Sequence, residues 1–108
     1  MEKQRIWLSY DLGIEGDYES MYFWLDSHEA RECGDSVASF VYIFRHDLIE
    51  EIKSDLEANV NLRKKDRVYI IFYDTVKKSL RGGFIFGGRK RHAPWFGYAI
   101  RTTPEEDY

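Results

Sequence analysis

The apolar positions of this chain follow two different periods. In residues 5–11, Ile6, Leu8 and Tyr10 alternate with Arg5, Trp7 and Ser9, the two-residue repeat of a strand with one covered face. After the loop Leu12–Gly16, the spacing changes. Tyr18, Met21, Tyr22, Leu25 and His28 recur at steps of three and four, and Phe23 and Trp24 widen the stripe. This predicts a helix over 18–30 with Asp17 as its N-cap. Residues 31–35 break the pattern. Residues 36–44 are rich in β-branched and aromatic side chains and read as a second strand.

Asp47 followed by Glu50 has the spacing of a capping box. It opens a helix whose buried stripe is Leu48, Ile49, Ile52 and Leu56, ending near Asn59. Residues 63–67 form a charged turn, expected to be a solvated connector. Residues 68–73 are a nearly continuous apolar run, as in a central strand covered on at least one face. Beyond residue 75, glycines punctuate aromatic-rich pieces. Phe84–Phe86 and Trp95–Ile100 read as short strands joined by a basic hairpin loop over 87–94. The expected order is βαββαβ, or βαβαβ if the middle holds no hairpin. Residues 1–101 form one domain with this hairpin as an extension, and 102–108 form a polar tail.

Composition narrows the class. The 108 residues suffice for one core, and 32% charged with 44% hydrophobic residues fits a folded domain. No apolar run reaches membrane-spanning length, and the first residues lack a signal-peptide pattern, so a cytoplasmic protein with no membrane role is expected. The single cysteine, Cys33, excludes an internal disulfide and is expected to be a small, half-buried residue. Aromatic residues make up 17% of the chain, enough to pack a sheet or an interface.

The net charge of −3 hides a segregation. Residues 1–74 carry 9 Lys/Arg against 16 Asp/Glu, whereas residues 75–101 carry 7 Lys/Arg and no acid. Such asymmetry marks either a site for an anionic partner or a bipolar surface that pairs with its own copy.

Strand 1 ending in Tyr10-Asp11-Leu12, the glycine-containing loop, the helix opened by Asp17-Tyr18, the strand 36–44, the Asp47-capped helix and Asp66-Arg-Val-Tyr-Ile-Ile-Phe occur in a familiar order. Over residues 5–74 this resembles small proteins of the CRISPR-associated protein 2 family and the virulence-associated protein D toxins. The resemblance implies a ferredoxin-like α+β sandwich, βαββαβ, with two helices on one face of an antiparallel sheet. It also implies a homodimer formed through sheet contacts and nucleic-acid-related work. By position, Asp11 matches an acidic residue near the dimer axis, where two copies can hold a divalent metal. The start of the first helix is acidic rather than arginine-rich here, which points to a stand-alone relative rather than spacer integration.

Three functions follow as expectations. The first is RNA or DNA binding. Arg89, Lys90 and Arg91 in the basic loop would contact phosphates, Lys77, Lys78 and Arg81 would extend the patch, and Trp95 would offer a stacking surface. The second is a metal-dependent endonuclease using Mg²⁺ or Mn²⁺ on Asp11 across a dimer. The alternative for Asp11 is hydrogen bonding to backbone amides of the following loop. The third is a protein-interaction module without catalysis, whose partner is another protein or a second copy. His28, His46 and His92 are scattered, and no phosphate-binding glycine loop is present.

Overall fold

The computed structural model describes residues 1–89 and 92–99. The elements are β1 (Glu2–Asp11), α1 (Tyr18–Ser27), β2 (Arg31–Gly34), β3 (Val37–Phe44), α2 (Leu48–Asn59), β4 (Arg67–Asp74) and β5 (Ser79–Phe86). The strands make one open antiparallel sheet in the order β2-β3-β1-β4-β5. The fold is therefore α+β, with two helices and five strands among the described residues, consistent with the expected ferredoxin-like type. Among the described residues, no helix is long and apolar enough to cross a membrane.

β1 is the central strand. It pairs with β3 from Glu2↔Phe44 to Ser9↔Val37 and with β4 from Ile6↔Phe72 to Asp11↔Arg67. Its alternation sends Ile6, Leu8 and Tyr10 into the core, where Met21, Trp24, Leu25, Ile52 and Leu56 of the helices cover them. The expected stripes of both helices are seen there. Tyr22 and Phe23 are the exceptions: they are 55% and 77% exposed.

The helix ends have identifiable chemistry. Asp17 caps α1 with one oxygen, accepting from Ser20 N at 3.2 Å, and with the other accepts from Asn61 N at 2.9 Å. One carboxylate thus ties the start of α1 to the chain leaving α2. α1 stops three residues short of its expected end. Glu29 adopts φ 55°, and the bonds from Glu29 N to Asp26 O and from Ala30 N to Leu25 O close a Schellman motif. Asp47 caps α2 through Glu50 N at 3.1 Å. The reciprocal carboxylate is Glu51 rather than Glu50: it accepts from the backbone N–H groups of Arg45, His46 and Asp47 at 2.9, 2.7 and 2.9 Å.

The middle of the chain does hold a hairpin. The polar run 31–35, which lacks an apolar pattern, supplies β2, joined to β3 by the turn Asp35–Ser36 with Ser36 at φ 63°. All four residues of β2 are exposed, so backbone pairing with β3, not burial, holds it in place. Cys33 is correspondingly exposed instead of half-buried.

The C-terminal hairpin differs from expectation. Its strands are β4 and β5, joined by the turn 75–78. Residues 95–99 form no strand: Phe96 N bonds Ala93 O at 2.9 Å and Tyr98 N bonds Trp95 O at 3.0 Å, so the segment winds through successive turns after Pro94. Lys90, Arg91, Ile100 and the tail 102–108 lie outside the described residues.

The charged turn at 63–67 is more than a connector. Asp66 is 1% exposed, and its oxygens accept from Gly13 N at 3.1 Å and Arg63 N at 2.8 Å. It joins the loop after β1 to the turn before β4. Asp66→Ala is expected to strand both donors and reduce stability by roughly 2–3 kcal/mol, read as a lower urea midpoint at constant slope. Lys65→Ala beside it, an exposed site, should stay within about 0.5 kcal/mol.

Glu51 sets an acid limit. The three backbone N–H groups hold its carboxyl below the usual value. Its stabilising effect is therefore complete above the ordinary carboxylate range and is lost as pH falls through the lowered folded value. Glu51→Gln should lower the thermal midpoint at neutral pH and flatten its decline in acid; an unaltered acid profile would refute this.

Candidate functional site

The sheet has one covered face and one open face. Both helices lie on the side of Ile6, Leu8 and Tyr10. On the other side, no described element covers Trp7, Val41, Ile43, Ile71, Tyr73 and Leu80, which are 40–71% exposed. Trp7 pairs in register with Ser39 on one side and Ile71 on the other, and Tyr73 pairs with Leu80. The open face is thus a contiguous surface of rings and aliphatic chains, the kind that marks a contact site on a soluble protein.

At one end of this face, Ser9, Asp11, Arg67, Tyr69 and Phe84 line a recess of about 210 Å³. Asp11 and Arg67 are register partners across β1 and β4, and Arg67 Nη2 and Nε donate to Asp11 Oδ2 at 2.6 and 3.1 Å. The guanidinium carbon lies 5.9 Å from the Phe84 ring centre, and Tyr69 meets Phe84 edge to face at 4.9 Å. Tyr69 reaches across Gly82, where an added Cβ would fall 2.8 Å from the hydroxyl.

This geometry redefines Asp11. Its carboxylate engages Arg67, while the loop amide contact expected of it is made by Asp66. Among the described residues, no three His, Cys, Asp or Glu side chains gather in a metal-holding group. Mg²⁺ or Mn²⁺ at Asp11 would have to compete with the Arg67 fork and draw its other ligands from a second copy, water or phosphate.

The described basic residues, Lys77, Lys78, Arg81 and Arg89, do not form one patch. Lys77 and Lys78 sit in the turn before β5, and Arg89 lies beyond its far end. The intervening eight residues of β5 span about 26 Å. Arg81 is committed elsewhere: it bonds Asp74 at 3.2 Å and stacks over Phe72 at 5.5 Å. Asp74 also accepts from Val76 N and Lys77 N at 2.9 and 3.0 Å, which shapes the turn and holds its carboxyl below the usual value. Trp95 is exposed, as are Phe96 and Tyr98, and the His92 ring stacks on Phe96 at 4.4 Å. Arg89 and Trp95 remain accessible; Lys90 and Arg91 are outside the described residues.

A polar cluster lies on the helix side. Asp55 accepts from the Tyr42 hydroxyl at 2.9 Å and lies 3.5 Å from His28 Nε2. His28 stacks on Phe40 with ring centres 5.3 Å apart. Burial, followed by the bond to Asp55, raises the Tyr42 pKa above the ordinary phenol value. The cluster joins α1, β3 and α2, with His28 half-buried at its centre.

Sequence reasoning missed the open face as a site. The signal was present: the same alternation that assigned Ile6, Leu8 and Tyr10 to the core placed Arg5, Trp7 and Ser9 together on the opposite side. Comparison with protein-family models, curated proteins and solved structures finds no match. Nothing in those comparisons links the chain to the CRISPR-associated protein 2 family.

Gly82 gives a test of the recess. Gly82→Ala should push Tyr69 off Phe84 and reduce stability by roughly 1–3 kcal/mol. Gly83→Ala, where an added Cβ meets nothing within 4 Å, should be neutral or slightly stabilising. Equal effects at the two sites would show that the Tyr69 contact carries no energy.

Proposed function

We propose that this chain is a small nucleic-acid-associated protein that holds single-stranded RNA or DNA on the open face of a ferredoxin-like sheet. The supporting observation is the pair of uncovered rings, Trp7 on β1 and Tyr73 on β4, on a face that also carries Lys3 and Arg5. Rings stack on bases of any sequence, and cations meet the phosphates between them. The split of the basic segment moves the center of the reading from the 87–91 loop to the sheet. Lys77, Lys78 and Arg89, at the two ends of β5, are assigned no phosphate contact in this reading.

The aliphatic residues on the same face favour a second reading, a homodimer or other protein contact. Val41, Ile43, Ile71 and Leu80 gain more from burial against protein than from contact with bases. Four strands of roughly 26 Å and the four-residue β2 of roughly 13 Å, about 4.8 Å apart, give a face of about 560 Å², below the ~800 Å² per partner of a standard complex.

The two readings compete for one surface. With a labelled single-stranded oligonucleotide, Trp7→Ala and Tyr73→Ala should each weaken binding by about 1–3 kcal/mol, and binding should fall steeply with added salt. Sedimentation in parallel decides the alternative. A stable dimer that Ile71→Lys splits, with no oligonucleotide binding by either form, would overturn the platform and favour the protein interface.

A further inference from the structure

The ladder between β2 and β3 ends at Arg31↔Ser39, whereas β1 pairs β3 along its whole length. The outer edge of β3 from Phe40 to Phe44 is therefore unpaired. Beside it lies a recess of about 330 Å³, whose charged lining is Lys3, Arg5, Arg31 and Glu29, with His28 at its wall. None of the three cations has an ion-pair partner among the described residues, in contrast to Arg63, Arg67 and Arg81, each of which has a carboxylate. Arg5 is held in place, since its Nη1 donates to Ser39 Oγ at 3.3 Å, and Ser39 in turn donates to Ile6 O at 3.0 Å. His28 is held by Asp55 and Phe40.

Three cations around one recess, against a single carboxylate, repel one another, and a bound anion relieves that repulsion. Guanidinium forks match phosphate oxygens in particular. The recess shares Arg5 with the open face, where Trp7 is the next outward residue of β1, about 6.8 Å along the strand. A cation followed by a ring at that interval suits a ligand whose phosphates and bases alternate; an acidic peptide would use the cations and leave the ring unused. We propose that this recess binds the phosphodiester backbone of a single-stranded nucleic acid, with Lys3, Arg5 and Arg31 taking its phosphates. The inference rests on the nucleic-acid reading of the open face and names the phosphate side of that site.

The test uses a labelled oligouridylate and an oligothymidylate of about a dozen nucleotides, titrated with the full chain across a salt series. Two triple variants are compared: Lys3→Gln/Arg5→Gln/Arg31→Gln and Lys77→Gln/Lys78→Gln/Arg89→Gln. All six side chains are exposed, and equal unfolding midpoints establish that both variants fold. The first variant should bind at least about tenfold more weakly at low salt, and its log–log salt slope should be shallower by about 2, near 0.7 for each lost phosphate contact. The second should stay within about threefold of the parent. If the second variant takes the slope and the first does not, the recess is not the phosphate site, and the nucleic-acid reading survives. If the parent chain binds neither oligonucleotide at low salt, both fall. Competition by polyglutamate as effective as by unlabelled oligonucleotide would assign the recess to an acidic protein and overturn the proposal.

Discussion

β1 is hydrogen-bonded on both sides, so its side chains cannot slip register without breaking two ladders at once. A shift of one residue would bury Arg5, Trp7 and Ser9 and expose Ile6, Leu8 and Tyr10. The rest of the molecule depends on that constraint. The helices cover one side because the chain crosses it twice, from β1 to β2 through α1 and from β3 to β4 through α2. With two helices among the described residues, both on one side, the other side of the sheet has no covering layer among them. The exposed rings are a consequence of this architecture as much as of local sequence.

The acidity of the first 74 residues has a structural use that net charge conceals. Asp17, Glu51, Asp66 and Asp74 accept backbone N–H groups at helix starts and turns, and Asp11 meets Arg67. These carboxylates replace water at donors that the ladders and helices leave unpaired. Arg67 and Arg81 are likewise engaged by neighbouring acids and by the rings of Phe84 and Phe72. Charge counts along the chain therefore overstate what is available to a partner. Arg81 lies in the most basic stretch and is paired with Asp74, while Lys3, Arg5 and Arg31, within an acidic stretch, have no ion-pair partner among the described residues.

Periodicity made much of this legible. Ile6, Leu8 and Tyr10, the α2 stripe, Met21, Trp24 and Leu25 of α1 and the strand 68–73 fall where alternation and the three-four repeat put them, while Tyr22 and Phe23 of the α1 stripe are exposed. The same information failed for β2 and for residues 95–99. β2 buries none of its side chains, so it leaves no apolar signature; only its partner strand specifies it. Trp95, Phe96 and Tyr98 have strand-like composition, but backbone turn bonds around Ala93 and Trp95 set their geometry instead. The candidate site was half legible for a related reason. A motif reading looks for cations close in sequence, as in 89–91, whereas Lys3, Arg5 and Arg31 meet only because β2 folds back beside β3.

Edges and faces place different demands on a partner. An unpaired edge offers backbone donors and acceptors to any extended chain and so invites indiscriminate pairing. The free edge of β3 is bordered by Lys3, Arg5 and Arg31, whose mutual repulsion and hydration oppose the approach of a neutral strand. The same charges favour a polyanion, whose phosphates exchange their counterions for these side chains. On the open face, Ile71 and Leu80 offer only apolar side chains, so burial drives contact there and selectivity comes from shape. A ligand that spans both regions needs charge at one end and flat apolar surface at the other. A single-stranded nucleic acid carries that combination along its whole length, and bound as proposed it would reach from the recess to Trp7 without a change in its own chemistry.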